Sequence, residues 1–160
     1  MKILGVDPGL RITGYGVISV VNKRIQLIET GIITPKSNEI IQDRIAVVFK
    51  GLEEIVNQHR PEVMVLEKLF THYRHATTAC LLGHVRGVIC LLCSLKGVRL
   101  KEHSVRRIRV AITGHGAASK AQTQGMVAHV LGIAREKLTP DASDALALAI
   151  GYAQLTGSQV

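Results

Sequence analysis

Residues 2–33 read KILGVDPGLRITGYGVISVVNKRIQLIETGII, and this stretch decides the fold. Lys2 to Asp7 is a short apolar run suited to a buried strand. It stops at Asp7-Pro8-Gly9, where proline cannot donate to a ladder and glycine accepts a tight turn. Thr13 to Val20 and Arg24 to Ile33 alternate or run apolar, with Asn22-Lys23 between them as a turn. Strands joined by such short connections are predicted to be antiparallel neighbours.

Beyond this meander the hydrophobic period changes. Ile41, Ile45, Val48, Leu52, Ile55 and Val56 form a helical stripe between Ile40 and His59, and Pro61 ends it. Val63 to Leu66 (VMVL) predicts a buried strand delivering Glu67, followed by a long helix over Thr77 to Leu95 and a strand near Val98 to Lys101. Three further helices are predicted over Ser104 to Ile112, Ser119 to Leu131 and Pro140 to Leu155, with Gly114-His115-Gly116 as a loop between the first two. Each return to the sheet after the third strand passes through a helix, so strands one, four and five should run parallel. The expectation is an α/β fold: a five-stranded mixed sheet, three antiparallel strands then two parallel, with helices on both faces.

Length and composition bound the function. At 160 residues, 47% of them hydrophobic, the chain predicts one folded domain over 1–156 and a short tail at 157–160. A net charge of +8 on so small a chain favours a polyanionic partner, nucleic acid ahead of a membrane surface. The opening MKILGVDPG does not read as a signal peptide, because Asp7 breaks its short apolar run. The longest apolar run, Ala79 to Leu95, is interrupted by His84 and Arg86 and is expected to fall short of the roughly 20 residues of a membrane span. Three cysteines without an export signal point to reduced thiols in the cytoplasm. The C-x-x-C spacing of Cys90 and Cys93 has no second pair to complete a zinc site and reads as core packing.

The chemistry lies in the acids. Asp7 ends the first strand, Glu67 ends the fourth, and Asp141 and Asp144 open the last helix with i, i+3 spacing, one turn apart on one face. Parallel neighbours one and four would bring Asp7 and Glu67 to the same sheet edge. Hard divalent cations take oxygen ligands, and Mg²⁺ held by a few carboxylates keeps positions for water and phosphate oxygens. Two such ions about 3.5–4 Å apart clamp an in-line displacement at phosphorus. Each acid also has a structural reading. Thr139-Pro140-Asp141 is a good helix start, and Asp7 before Pro-Gly is a good turn former. Glu67 fits such a reading least well, since an acid after four apolar strand residues is poorly placed unless paired.

At these residues the chain resembles the RuvC family of Holliday junction resolvases. ILGVDPGLRITGYGV is similar to the family's opening strand–turn–strand, VLEKLF to its second acidic motif, TGHGAASKAQTQGMV to its basic segment and PDASDALALAI to its closing acidic helix. The four segments follow family order from Met1 to about Tyr152. The resemblance implies an RNase H-like fold, a homodimer, Mg²⁺ (two ions per site, with Mn²⁺ able to substitute) and symmetric nicking of four-way junction DNA to leave 5′-phosphate and 3′-hydroxyl ends. It assigns the metal-binding and catalytic quartet to Asp7, Glu67, Asp141 and Asp144. It sets Lys120 near the scissile phosphate and puts Arg109 where the family often has lysine. The partners it implies are RuvA and RuvB.

Two basic regions are candidate DNA contacts. Arg106, Arg107 and Arg109 lie in one predicted helix, with Arg106 and Arg109 on one face, and Lys120 follows. Phe70, Tyr73 and Arg74 come directly after Glu67 in a chain with few aromatics, and by resemblance Phe70 stacks on a base unpaired at the junction centre. The helix over Thr77 to Leu95 is apolar on more than one side, and Gly83 and Gly87 permit close approach, which suits a two-fold dimer face, with burial wholly within one subunit as the alternative. The competing readings are a junction-binding dimer without catalysis, an RNase H-type nuclease of other specificity, and an actin-like ATPase reading of DPGLRITG that the short chain disfavours.

Overall fold

The computed structural model describes residues 1–68 and 76–157. Its elements are β1 (Lys2–Asp7), β2 (Thr13–Val21), β3 (Arg24–Ile33), α1 (Ile41–His59), β4 (Val63–Glu67), α2 (Ala76–Lys96), β5 (Arg99–His103), α3 (Val105–Thr113), α4 (Lys120–Leu131) and α5 (Pro140–Gly157), with a 3₁₀ turn at Arg135–Lys137 before the last helix. The sheet order is β3-β2-β1-β4-β5. β1 pairs antiparallel with β2 and parallel with β4, and β5 continues parallel beyond β4. This is the mixed sheet expected from the sequence. The fifth strand is shifted, running Arg99–His103 rather than Val98 to Lys101, and the second and fourth each run one residue further, to Val21 and Glu67.

Local chemistry explains most boundaries. Asn22 and Lys23 both take positive φ (49° and 63°), the two-residue hairpin geometry that matches strand twist. Arg60 closes α1 in the left-handed region, and Pro61 prevents its continuation. Ser119 and Gln122 form a reciprocal capping box that fixes where α4 begins.

Strand alternation divides the core between two faces. Leu4, Val6, Met64 and Leu66 meet Val48 and Leu52 of α1 and Val85, Ile89 and Leu92 of α2. Ile3, Val63 and Val65 meet Ile108 of α3, Val127 of α4 and Leu146 and Ile150 of α5. Asp7 has the parity of Ile3, and Glu67 that of Val63 and Val65, so both acids belong to the α5 face.

α2 departs from expectation in two ways. Thr77–Lys96 does have the length and apolar composition of a membrane span (mean hydropathy 1.7), with 28% of it buried in the chain. Here its Val85–Ile89–Leu92 side covers the sheet. Its other side leaves Leu91 and Leu95 exposed at 53% and 65%. The core reading of the C-x-x-C pair holds for Cys93 only: Cys90 is exposed, while Cys93 is buried with Sγ 3.5 Å from Met64 Sδ.

Candidate active site

Asp7 and Glu67 are the last residues of neighbouring parallel strands, one step beyond the Val6–Leu66 register pair. The turn after Asp7 is held from two sides. The buried Thr13 donates its hydroxyl to Gly9 O at 2.7 Å, and Arg44 Nη2 from α1 donates to Leu10 O at 2.9 Å.

α5 reaches the same edge because β1 and β2 leave room for it. A Cβ on Gly5 would run into the Ala145 carbonyl, and one on Gly14 into the Asp141 carbonyl. Both obstacles are helix backbone, which cannot swing aside as a side chain does. α5 therefore lies directly on the strands. Its first turn is set by Thr139, whose Oγ1 accepts from Ala142 N–H at 3.3 Å, with Pro140 as the first helical residue.

Asp7, Glu67 and Asp144 line one cleft, together with Arg109 and Ile108 of α3 and Lys120 and Thr123 of α4. At about 150 Å³ the cleft admits ions, waters and a single phosphate group. Lys120 Nζ stands 2.5 Å from Asp144 Oδ2. That hydrogen bond, more than any other influence, raises the lysine's affinity for its proton. Burial, then the charges of Asp144, Glu67 and Asp141, push Asp7 up to about 7, against an opposing pull from Lys120. Glu67 is raised by burial first and Asp144 second, while Arg86 and Arg109 pull it down.

Asp141 is not among the residues lining that cleft. It borders an adjoining hollow formed by Pro8 to Ile12 with Arg44, Leu81 and Leu82, although its charge still reaches Asp7. Among the described residues no three carboxylate, thiol or imidazole groups already close on one point as a metal cage. The donor chemistry nevertheless fits a hard divalent cation. Every candidate ligand is a carboxylate oxygen, and the negative charge that adds to burial in lifting Asp7 is what such a cation relieves.

Of the candidate DNA contacts, Arg109 lines the cleft, while Arg106 and Arg107 are exposed on α3 beside it. Phe70, Tyr73 and Arg74 lie outside the described residues. Sequence reasoning missed Arg86, read there only as an interruption of an apolar run. Its Nη1 donates to the Glu67 carbonyl at 2.8 Å, and its Nη2 pairs with Glu102. A charged residue inside an otherwise apolar helical face was the available signal.

Comparison with known proteins gives a consistent result. The family model described as crossover junction endodeoxyribonuclease RuvC matches residues 3–152. A curated relative of that name from Rhodopirellula baltica is 38% identical over 148 residues, 92% of this chain and 83% of the relative. Another from Caulobacter vibrioides is 40% identical over 154 residues, covering 96% and 90%. The solved structure of Thermus thermophilus RuvC in complex with Holliday junction substrate superposes with a TM-score of 0.92 at 25% identity, covering 99% of this chain and 96% of that one. The yeast mitochondrial Holliday junction resolvase Ydc2, at 12% identity, shares the fold with a TM-score of 0.70 over 97% and 78%.

Proposed function

The chain belongs to the RuvC family of crossover junction endodeoxyribonucleases, and from that premise we propose that it resolves four-way DNA junctions by paired, metal-dependent nicks. The observation that carries the reading is the cleft itself. Carboxylates from two strand ends and a helix line it; burial first and their charges second push Asp7 up to about 7, and Lys120 and Arg109 stand beside them.

Asp7, Glu67 and Asp144, with Asp141 from the adjoining hollow, are the residues that would hold the metal. Two Mg²⁺ ions, or Mn²⁺ in their place, would supply an activated water and a counter-charge for the leaving oxygen. The chain's own groups do the rest. Lys120 carries its proton firmly and sits at the mouth on a flexible stem, suited to a non-bridging oxygen of the scissile phosphate. Arg109 lines the same cleft and adds a second cation for that phosphate, leaving Arg106 and Arg107 for flanking backbone phosphates. Phe70 would stack on a base unpaired at the junction centre, with Tyr73 and Arg74 beside it. Hydrolysis would leave 5′-phosphate and 3′-hydroxyl ends. A homodimer built on the outer face of α2 would present two such sites, and RuvA and RuvB would deliver the junction. This work on DNA belongs in the cytoplasm.

An end-labelled four-way junction, incubated with Mg²⁺ beside linear duplex and an RNA–DNA hybrid, tests the reading. Cleavage should be confined to the junction and should vanish in Asp7→Asn, with junction binding kept. Equal cutting of the linear duplex, or wild-type cutting by Asp7→Asn, would refute it.

A further inference from the structure

Arg86 is 7% exposed, whereas His84, Ser94 and Lys96 of the same helix face solvent. A guanidinium taken out of water is tolerated only where its donors are matched. Those of Arg86 reach the ends of two adjacent strands: Nη1 donates to the main-chain carbonyl of Glu67, 2.8 Å away, and Nη2 pairs with the carboxylate of Glu102. Glu102 is the register partner of Leu66, the residue before Glu67. The next amide, Lys68 N–H, donates to His103 O at 2.9 Å. The main chain around Glu67 is thus held by β5 on one side and by α2 on the other, while its carboxylate lines the cleft.

We propose that Arg86 is a positioning residue for Glu67, fixing the peptide from which the carboxylate hangs. Two acceptors on different strands suit a planar fork of donors, which lysine does not offer. The consequence for catalysis is steep, because misplacement of a reacting group by about 1 Å costs on the order of a hundredfold in rate. The inference rests on reading the carboxylate cluster as the cutting site.

Arg86→Lys in the full-length protein tests it, with three readouts and Glu67→Gln alongside. The variant should lose at least about tenfold in kcat on the labelled junction and keep its junction Kd within about twofold. Hydrogen exchange at the Lys68 amide should speed up at least about tenfold, with the amides of β1 unchanged. A kcat within about twofold of wild type overturns the proposal. So does faster exchange spread evenly over the sheet, since Arg86 would then be a staple of the whole fold. If Arg86→Lys does not fold, Glu102→Gln loosens the other arm of the fork and should show the same pattern at about threefold; unchanged kcat and exchange there overturn the proposal. Glu67→Gln separates the two levels. If it cuts at the wild-type rate, the site reading falls and this inference with it. If it is inactive while Arg86→Lys cuts normally, only the positioning role falls.

Discussion

Lys120 and Asp144 meet at 2.5 Å, yet the lysine side chain is 58% exposed, so the pair adds little to folding. Lys120→Ala should therefore shift stability by no more than about 0.5 kcal/mol. It should also slow junction cleavage by roughly a hundredfold or more, as expected for loss of a cation placed at developing charge. Thermal melts and single-turnover assays check the two halves separately. Asp7 gives a pH prediction. Folding raises its proton affinity from an ordinary value of 3.8 to about 7, so between those values the folded state binds more protons than the unfolded chain. Metal-free protein should lose stability as pH climbs through that window and stay low above it. A Mg²⁺ ion held at Asp7, as proposed, would compete with that proton, so its stabilising effect in a thermal melt should be larger at pH 8 than at pH 5.5. Removing metal at pH 8 should lower Tm, and Asp7→Asn should melt higher than metal-free wild type despite being inactive. The acids were legible in the sequence because each follows a local signal, a strand end or a helix start. Arg86 was not, because its partners are 16 and 19 residues away on two other elements.

Among the elements, α5 is the one whose placement makes the site. Its length was readable from Pro140 onward, but its seat depends on Gly5 and Gly14, which belong to other strands. Gly14→Ala sets a methyl group against the Asp141 carbonyl and should push the first turn of α5 off the sheet. Overpacking of this kind costs about 1–3 kcal/mol. Cleavage should fall further than stability explains, because Asp141 and Asp144 move with that turn. Tm and kcat, both taken below the melting range, make the comparison, and a variant that loses stability but keeps full activity would show that α5 returns to its seat. α4 offers the contrasting case. Ser119 to Gln122 spells a capping box, so the start of that helix, and with it the base of Lys120, follows from four consecutive residues. The split of Asp141 from the cleft that holds Asp144 was not visible from i, i+3 spacing. That spacing puts two side chains on one helix face; which hollow each borders depends on what packs against that face.

At the scale of the whole molecule, α2 covers the sheet with one side and presents Leu91 and Leu95 to solvent on the other, where the positions around Gly83 and Gly87 are open. If this face joins two copies, Leu95→Asp should shift sedimentation from dimer to monomer. On a cruciform plasmid, paired cuts that linearise the circle should then give way to single nicks. A variant that remains dimeric would move the interface elsewhere. The sequence by itself determined the order of the elements, the hairpin, the mixed sheet and the strand-end acids, because periodicity, turn residues and caps act over a few neighbours. Only the tertiary structure decided how close α5 comes to the sheet, which acids share a cleft with Lys120 and Arg109, what Arg86 holds, and which side of α2 remains uncovered. Each of these depends on contacts between residues far apart in the chain, where the shape and charge of one element are matched by another. The four acids could be read one at a time, but the burial that lifts Asp7 to about 7, and the repulsion from neighbouring carboxylates that adds to it, exist only once the fold has brought them together.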